Sequence, residues 1–386
     1  MLPPIYRTPD TDLEDLAVID DVRSLREPLA DVLRVPRRWS NGMRRTTQAR
    51  AIQGSNTIEG YTVSDQDAVA AVDDEPPLTA DQQTWAEIMG YRRMMTYILR
   101  MTPDPEFVLT TQTLRSLHFM LLEHDLGADP GHFRPGAVYV RDEAADQTVY
   151  EGPPAEEVPG LVESLVATIR HDGADAMVDA AMAHLNLVMI HPFRDGNGRM
   201  ARALQTMVLG QDRELEPTFS SIEEWLGSNT EDYYRVLAVT GEGAWRPQND
   251  ATLWIKFTLR AHHMQAQTLR RRFREAETTW RALDAIVADH GVPERSADAL
   301  FDAALGYRVT RPSYAKHAAI EDQTATRDLR RLVQTGLLDA VGNTRGRFYV
   351  ASGILRALRD DVRAGREALV DPYPWMSAEL RRRAGR

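Results

Sequence analysis

The sequence predicts a mainly α-helical protein that contains two small β-hairpins. Three observations support this fold class. Apolar residues recur at helical spacing in several long stretches, one of which leads into a glycine-containing loop near the middle of the chain. Runs of β-branched and aromatic residues are short and come in pairs around polar turns. At 386 residues, the chain is long enough for two or three domains with a well-buried core.

The first part of the chain, residues 1–95, is expected to be an N-terminal helical region. Amphipathic patterns predict helices at 12–35 and in the segment that leads to Gly60. By itself, the sequence Ser-Asn-Thr-Ile-Glu-Gly at 55–60 is compatible with an ordinary helix end that is capped by glycine. The acidic, proline-containing segment 73–77 then separates these helices from the next one.

A first β-hairpin is predicted just upstream of the central helices. Val138–Arg141 and Thr148–Tyr150 are two short runs of strand-forming residues, and the polar segment Asp142–Gln147 between them is the expected turn. An exposed strand edge of this kind can pair with an extended segment of another protein. An ordinary surface hairpin is the alternative interpretation.

The most informative segment is residues 191–202, which read His-Pro-Phe-Arg-Asp-Gly-Asn-Gly-Arg-Met-Ala-Arg. A helix is predicted before it, from about Ala174, and Pro192 should end that helix because the residue before a proline is disfavoured in the helical conformation. A second helix is predicted from Arg199 to about Leu209. The segment is therefore expected to be a loop between two helices. The stripe that predicts the first helix consists of Met177, Ala181, Leu185 and Val188.

The residue types of this loop point to the handling of phosphate groups. Gly196 and Gly198 permit positive φ values, so that backbone N–H groups and the start of the second helix can converge on an anion. Arg199 and Arg202 are three residues apart and share a helix face, from which both guanidinium groups can reach a polyphosphate.

Two further side chains supply the remaining chemistry. Asp195 is a hard oxygen ligand suited to Mg²⁺, which usually takes one or two carboxylates together with phosphate oxygens and water. His191, with an ordinary pKa of roughly 6.5, can accept a proton from an attacking hydroxyl group. Together these parts predict a phosphoryl or nucleotidyl transfer site.

With the pattern H-x-F-x-D-G-N-G-R-x-x-R, this segment resembles the signature of the Fic family at every defining position. The resemblance implies a Fic-like helical bundle, with a core at 96–252, that transfers the AMP part of ATP to a Ser, Thr or Tyr hydroxyl of a target protein or of itself. It implies His191 as the base and Asp195 as the Mg²⁺ ligand. It also implies a set of nucleotide-binding residues: Gly196, Asn197, Gly198, Arg199 and, at the γ-phosphate, Arg202.

The resemblance extends to three other segments. Residues 55–60 fit the family's inhibitory motif (S/T)-x-x-x-E-(G/N), which implies that Ser55 and Glu59 restrain the enzyme and that Glu59 pairs with Arg202 in place of the γ-phosphate. The hairpin at 138–150 resembles the family's flap. Residues 229–234 resemble a segment near the adenine pocket, so Asn229 and Tyr233 are candidates for nucleotide contact, although Tyr233 could equally be a core aromatic.

Two features of the helical part are interpreted as structural. His184 lies two helical turns before His191, and we expect a packed, hydrogen-bonded core histidine there rather than half of a metal site. Residues 253–290 are predicted to be a connecting helix, of which 254–285 carry the clearest pattern. The arginine run at 270–272 within it is interpreted as a solvated helix face.

The C-terminal part has the element order of a winged helix-turn-helix, which we place at 291–355. Pro312 suits an early helical position, a short turn follows at 321–323, and a second helix is predicted at 324–333. Two strands come next, at 337–341 and 347–350. Thr-Ala-Thr-Arg-Asp-Leu at 324–329 closely resembles recognition helices of bacterial regulators. Residues 356–386 are treated as a C-terminal tail.

Winged helices bind DNA or serve as protein-docking or dimerisation modules, and the sequence leaves these alternatives open. Basic side chains on the second helix and the hairpin could contact phosphates and base edges, although acidic residues lie beside them. The candidate DNA contacts are Arg327, Arg330, Arg331, Arg345 and Arg347. A homodimer is also compatible with the sequence.

Composition limits the remaining classes. The chain has no cysteine, which excludes disulfides, thiolate metal sites and cysteine nucleophiles. Its formal net charge of −11 argues against wholesale coating of nucleic acid. No stretch approaches the roughly 20 apolar residues of a membrane span, and no signal peptide is apparent. We therefore expect a cytoplasmic protein that does not enter a membrane.

The sequence favours a self-inhibited protein adenylyltransferase that uses ATP as substrate with Mg²⁺. The main alternative is a DNA-binding regulator whose central domain only senses a nucleotide. An enzyme of the same family that uses another nucleotide, or that removes AMP, also stays open.

Overall fold

The computed structural model describes residues 2–34, 37–142, 147–169, 175–211, 216–343 and 346–384. Within these ranges the protein is mainly α-helical, as predicted, and each of the two sheets is a two-stranded hairpin. Every helix in this part of the chain is too short or too polar to cross a lipid bilayer.

The helices of the first 240 residues surround the central helix pair. The two members of that pair are α7 and α8, and they pack along each other. In chain order these helices are α1 (Leu13–Arg34), α2 (Ser40–Ile58), α3 (Asp65–Asp73), α4 (Gln82–Met101), α5 (Thr111–Leu122), α6 (Val158–Ile169), α7 (Ala176–Ile190), α8 (Asn197–Gln211), α9 (Pro217–Ser220), α10 (Glu223–Ser228) and α11 (Thr230–Gly241).

A single long helix connects this part to the C-terminal elements, and it is longer at both ends than the pattern at 254–285 predicts. The remaining helices are α12 (Thr252–Asp289), α13 (Ala297–Leu305), α14 (Arg311–His317), α15 (Asp322–Gln334), α16 (Gly353–Ala364) and α17 (Met376–Ala384). The strands are β1 (Tyr139–Asp142) and β2 (Gln147–Glu151), which pair antiparallel, and β3 (Leu338–Val341) and β4 (Phe348–Ala351), which also pair antiparallel.

The buried apolar side chains form two cores, and α2 contributes to both. Its N-terminal half places Trp39 and Met43 in the core made by the second half of α12, α13–α16 and the β3–β4 hairpin. Its C-terminal half places Ala49, Ile52 and Ile58 in the larger core that surrounds α7 and α8. Helix α2 is therefore held at one end by the C-terminal elements and at the other by the central bundle.

A buried ionic cluster also holds the N-terminal half of α2. Arg45 is 9% exposed, donates from Nη1 to Oδ2 of Asp73 at 3.0 Å, and donates from Nη2 to Asp302 on α13. His317 on α14 lies within 3.3 Å of the Asp73 carboxylate. The members of the cluster come from α2, α3, α13 and α14 and so hold these helices together. Their burial is tolerated because each charge has an opposite charge beside it.

Close backbone contact fixes the C-terminal half of α2 against α10. A Cβ atom at Gly54 would lie 2.3 Å from the carbonyl oxygen of Glu223, and one at Gly227 would lie 2.6 Å from the Cα atom of Gly54. Only hydrogen fits between the two backbones at this crossing. Helix α2 consequently sits deeper against α10 than any side chain would allow.

The C-terminal elements follow the predicted order of two helices and a hairpin. Thr310 caps α14 through a hydrogen bond from the backbone N–H of Ser313, and Pro312 stands in the first turn. Asp328 is buried and accepts hydrogen bonds from Arg295 and Tyr314. This acidic residue therefore faces the inside of the module instead of opposing the exposed basic residues of α15.

Residues 356–384, which we assigned to the C-terminal tail, contain most of α16 and the whole of α17. Met376 and Leu380 of α17 are fully buried beside Tyr373. Helix α17 packs on α11, and Ser377 donates a hydrogen bond to Asp232 there. The segment is polar in composition, but a few apolar residues at helical spacing pack it against the rest of the protein.

The arginine run on α12 is only in part a solvated helix face. Arg272 points inward, where Nη1 donates to Oε2 of Glu224 at 2.6 Å and Nη2 donates to Oε1. This bidentate pair ties α12 to α10. Arg270 and Arg271 are half-buried instead of fully exposed.

Candidate active site

His191 caps the C-terminus of α7 in the left-handed conformation, with φ 51° and ψ 58°. Its backbone N–H donates to Leu187, and its ring Nδ1 lies 3.1 Å from the carbonyl oxygen of Val188. Because a carbonyl oxygen only accepts hydrogen bonds, this contact requires the proton on Nδ1. The neutral ring therefore carries its lone pair on Nε2.

The surroundings of His191 favour this neutral form. Burial lowers the pKa of His191 below its usual value, and the nearby Arg134 cation lowers it as well. The hydrogen bond to Val188 and the carboxylates of Glu59 and Asp195 act in the opposite direction without reversing the shift. A histidine in this state can accept a proton near neutral pH.

Arg134 holds the backbone around His191. Its side chain is 4% exposed and donates from Nε to the carbonyl oxygen of His191 at 2.8 Å. The other nitrogens donate to Gly136 at 2.6 Å and to Pro153 at 2.5 Å, and the Arg134 backbone N–H donates to Pro192. Arg134 thereby joins the end of α7 to both ends of the β1–β2 hairpin.

Asn197 organises the loop from inside. Its Oδ1 accepts from the backbone N–H of Phe193 and its Nδ2 donates to the carbonyl oxygen of the same residue, each at 2.9 Å. Both ends of the amide are therefore committed to the loop. Since Asn197 is also the first residue of α8, it closes the turn directly onto the helix N-terminus.

A buried histidine supports the loop from below. The His118 ring stacks on Phe193 with centroids 3.7 Å apart, and its Nε2 lies 3.0 Å from the carbonyl oxygen of Asp195. Its Nδ1 accepts from the backbone N–H of Gly131. The same ring faces Gly196, which has φ +73° and where a Cβ atom would lie 3.0 Å from Leu121.

The two loop glycines serve different purposes. Gly196 has a positive φ, whereas Gly198 lies in the first turn of α8, which begins two residues earlier than predicted. At Gly198 the requirement is space, because a Cβ atom there would lie 2.5 Å from Oε1 of Glu59 and 3.2 Å from Nη1 of Arg202. Oε1 of Glu59 therefore packs directly against Gly198, in the space that a side chain would fill.

Glu59, the C-cap of α2, reaches the N-terminal turn of α8. Its Oε1 accepts a hydrogen bond from Nη2 of Arg202 at 2.6 Å. Arg202 also donates from Nε to Oγ of Ser55 at 2.8 Å and from Nη2 to the Ser55 carbonyl oxygen at 3.0 Å. Although burial disfavours the charged form, the Glu59 carboxylate keeps the pKa of Arg202 above its ordinary value.

Arg199 has a different partner. It is 1% exposed and donates from Nη1 to Oε2 of Glu87 on α4. Glu87 also accepts from the hydroxyl of Tyr61 at 2.9 Å and lies 3.2 Å from Nε2 of His124. The two arginines of the motif thus face two separate carboxylates, although they share one side of α8.

Asp195 is the exposed carboxylate of the loop, with 58% of its side chain accessible. Oδ1 accepts from the backbone N–H of Gly196 at 2.6 Å, and Oδ2 lies 3.8 Å from Nη2 of Arg199. Within the described ranges no group of three or more His, Asp or Glu side chains is arranged to hold a metal. One accessible carboxylate fits a cation that takes its other ligands from phosphate and water.

The candidate adenine-pocket residues have structural partners. Asn229 precedes α11 and donates from Nδ2 to the carbonyl oxygen of Trp225. The Tyr233 hydroxyl lies 2.9 Å from Nε2 of His184, whose Nδ1 lies 2.6 Å from Oε1 of Gln205. His184 is fully buried, and burial lowers its pKa to about 3. His184 is thus the packed, hydrogen-bonded core residue that we predicted.

Residues 108–209 match the sequence profile of the Fic/DOC family. This range contains the β1–β2 hairpin, the central helix pair and the whole loop between its helices. Residues 108–209 form a Fic domain.

The Fic domain has curated relatives that are named protein adenylyltransferase Fic. The protein from Nematostella vectensis is 25% identical over 201 residues, which are 51% of this chain and 44% of the relative. The protein from Culex quinquefasciatus is 31% identical over 170 residues, which are 42% of this chain and 30% of the relative. The chain therefore spans less than half of the length of these relatives.

Solved structures of Fic proteins share the fold of this chain at low sequence identity. A Fic family protein from Desulfovibrio desulfuricans has a TM-score of 0.56 at 23% identity, and the similarity covers 90% of this chain and 99% of that one. A Fic domain containing signaling protein from Bacteroides thetaiotaomicron has a TM-score of 0.51 at 21% identity and covers 67% of this chain and 97% of that one.

The hairpin predicted as a flap stands beside the Fic loop. Among the described residues, Glu151 on β2 exchanges backbone hydrogen bonds with Gly243 and Trp245, whereas no strand pairs with the outer edge of β1. The edge of β1 is therefore the one that could accept an extended peptide. The predicted turn falls largely outside the described residues, which resume at Gln147.

Sequence reasoning missed three residues of the site: Glu87, His118 and Arg134. None belongs to the loop motif, and each lies in an ordinary amphipathic or turn-rich segment. The burial of these side chains would have identified them, because a buried charged or imidazole group requires a polar partner. That burial becomes visible only in the folded protein.

The candidate DNA contacts lie on the surface of the C-terminal module. Arg327, Arg330 and Arg331 on α15 and Arg347 before β4 are exposed. Arg331 donates to the carbonyl oxygen of Gly291, which fixes one end of its side chain. Arg345 lies outside the described residues.

Proposed function

We propose that this protein is a self-inhibited adenylyltransferase that moves the AMP part of ATP onto a hydroxyl group of a target protein or of itself. The Fic domain and the relatives named protein adenylyltransferase support this reaction. In the same proposal, Ser55 and Glu59 on α2 restrain the enzyme, and the target hydroxyl reaches the loop along the free edge of β1.

One contact carries the inhibitory part of the proposal. The Glu59 carboxylate lies on the surface of Gly198, at the N-terminus of α8, and takes a hydrogen bond from Arg202. A helix N-terminus beside a guanidinium group is a place where anions bind. A phosphate and the Glu59 carboxylate would compete for the same donors, because the space above Gly198 holds only one of them.

The catalytic part rests on the orientation of His191. Its Nδ1 proton is committed to Val188, so Nε2 can take the proton of an incoming hydroxyl. The hydroxyl oxygen then forms a bond to the α-phosphorus of ATP while the bond to the pyrophosphate leaving group breaks. In our proposal the backbone of residues 196–198, the N-terminus of α8 and Arg202 stabilise the negative charge on the phosphates.

Asp195 would hold Mg²⁺ from the protein side. A bound Mg²⁺ would neutralise phosphate charge and align the polyphosphate chain. The exposure of the Asp195 carboxylate agrees with a role as a Mg²⁺ ligand. Asn197 would support this site by holding the loop through its two hydrogen bonds with the backbone of Phe193.

The proposal is tested by transfer of label from α-labelled ATP, with Mg²⁺, to protein. We expect the Glu59→Gly variant to transfer at least tenfold more label than the wild type, either to itself or to proteins of a lysate. The double variant Glu59→Gly/His191→Ala should transfer none. Glu242→Gly is a matched control, because Glu242 is also a glutamate at a helix C-cap but is exposed and pairs with Arg246.

Two results would contradict the proposal in separable ways. If Glu59→Gly transfers no label to any protein, adenylyl transfer itself is wrong. If wild type and Glu59→Gly transfer equally well, the enzyme exists but the inhibitory role of Glu59 is wrong. With γ-labelled ATP, transfer to protein would indicate a kinase instead.

A further inference from the structure

A cleft of about 260 Å³ opens between the middle of α12 and the end of α16 with the segment that follows it. No residue of the Fic loop lines it, and two members of the arginine run of α12, Arg270 and Arg271, do. Its lining is polar and rich in arginine, with Gln267 and Thr278 as neutral polar groups. The lining arginines are Arg270, Arg271, Arg274 and Arg366.

These arginines have few carboxylates to pair with. Glu275 is already taken by Arg366, which donates to both of its oxygens at 2.7 Å. Arg271 lies 4.0 Å from the same carboxylate, and its Nε is buried without a hydrogen-bond partner. The side chains of Arg270 and Arg274 form neither an ion pair nor a hydrogen bond with another described residue.

The concentration of positive charge perturbs the arginines themselves. Burial lowers the pKa of Arg271, and the nearby Arg366 cation lowers it further. The pKa of Arg363, at the end of α16, is lowered as well, first by burial and then by the cations of Arg366 and Arg359. Such crowding of like charge is unfavourable without a counter-ion. It stands out in a chain whose net charge is −11.

We propose that this cleft binds a compact, multiply charged phosphate anion, such as a di- or triphosphate chain. Guanidinium groups bind phosphate oxygens through paired hydrogen bonds. The cleft has no aromatic side chain on which a nucleobase could stack, so the ligand is recognised through its phosphates. Glu367 is the second carboxylate of the lining, and its negative charge reduces the net positive charge of the cleft.

The cleft is built by two parts of the chain that are distant in sequence. The segment after α16 is held on α12 by Gln267, which donates to the carbonyl oxygen of Val370 and accepts from its N–H. Two turns earlier on α12, Arg260 donates from Nε to Oδ1 of Asp371 at 3.0 Å and from Nη2 to Oδ2 at 2.6 Å. An anion between Arg271 and Arg366 would add a further link between α12 and this segment.

The test measures binding of inorganic tripolyphosphate to the full chain by calorimetry at low salt. We expect one site in the wild type and at least tenfold weaker binding in the double variant Arg271→Gln/Arg274→Gln. Arg281→Gln is the matched control, because Arg281 lies on the same helix, is 75% exposed and pairs with Glu277. This control should bind as the wild type does. Affinity should fall as salt rises.

Two further probes identify the kind of anion. Inorganic phosphate should bind much more weakly than tripolyphosphate, because it meets fewer of the arginines. A short DNA duplex should bind no more tightly than tripolyphosphate, and the Arg271→Gln/Arg274→Gln variant should bind the duplex as the wild type does. Equal tripolyphosphate binding by wild type and the double variant, or binding of duplex alone, would overturn the proposal. Circular dichroism and thermal melting show whether the double variant remains folded.

Discussion

Oε1 of Glu59 accepts a hydrogen bond from Nη2 of Arg202 at 2.6 Å, although 143 residues separate the two along the chain. The contact exists because α2 presses against α10 at the Gly54–Gly227 crossing and so brings its C-terminus to the start of α8. The strength of the inhibitory contact therefore depends on how α2 is seated.

This seating leads to the first prediction, the Gly54→Ala variant. The added Cβ would lie 2.3 Å from the carbonyl oxygen of Glu223, so α2 must move away from α10 and carry Glu59 with it. We expect adenylyl transfer to rise several-fold above the wild type, and the free energy of unfolding to fall by about 1–3 kcal/mol. Label transfer and urea unfolding measure the two effects.

Gly353→Ala is the control for this variant. Gly353 is the first residue of α16, where the nearest atom to a new Cβ is Nη2 of Arg356 at 4.0 Å. It should change neither activity nor stability appreciably. If Gly54→Ala lost stability while transfer stayed at the wild-type level, the seat of α2 would not govern inhibition.

The second prediction concerns the pH dependence of transfer in the Glu59→Gly form. His191 must be neutral to accept a proton, and burial holds its pKa below the usual value. Activity should therefore be lost only as the pH falls through a value below about 6.5. Removal of Glu59, whose charge raises this pKa, should move the inflection further down. The measurement is kcat/KM against pH, and an inflection above that value would show that His191 is not held neutral.

The third prediction assigns Arg134 a positioning role. Arg134→Gln removes donors to the carbonyl oxygens of His191 and Pro153, so the base and the hairpin lose their common support. In the Glu59→Gly background we expect kcat to fall about tenfold or more, since small misplacements of a base are costly. KM for ATP should change little, because Arg134 contacts main-chain carbonyls instead of the phosphate cradle.

Arg246→Gln is the control for this prediction. Arg246 lies beside the same hairpin but is exposed and pairs with Glu242 at 3.2 Å. A purely structural role for Arg134 would lower the melting temperature and the fraction of active enzyme while leaving kcat per active site unchanged. Titration of active sites distinguishes the two cases.

The fourth prediction concerns stability. Arg45→Met leaves the buried carboxylates of Asp73 and Asp302 without their main cation, and we expect the free energy of unfolding to fall by about 3–5 kcal/mol at neutral pH. Arg44→Met, on the same helix, should cost at most about 1 kcal/mol, because the Arg44–Glu216 pair is partly exposed to solvent, which screens its charges. Equal losses in the two variants would contradict the assignment.

The pH dependence of the same cluster has a definite sign. Burial alone would raise the pKa of Asp73, but the hydrogen bond from His317 and the charge of Arg45 outweigh it and leave that pKa lowered. The stabilising effect is therefore present above the ordinary carboxyl pKa of about 3.9 and is lost as the pH falls through the lower, folded-state value. In Arg45→Met, part of this acid-dependent loss should disappear.

Local patterns in the sequence predicted the elements of this protein well. The helices around the Fic loop and the order of the C-terminal elements follow from apolar periodicity and turn residues, which act over a few positions. Helix ends were less accurate, as the early start of α8 at Asn197 shows. The packing of the segment after α16 was not predicted, because its few apolar residues become important only through the surface against which they are buried.

The sequence alone indicates the chemistry of one loop: a base, a carboxylate, a turn that requires glycine and two guanidinium groups in a fixed order. The tertiary structure decided which of these groups are free to act. Arg202 is bound by Glu59 and Arg199 by Glu87. Coulombic attraction and hydrogen bonding depend on distance in space, and the distance between residues far apart in the chain is set only when α2 and α4 pack onto α8.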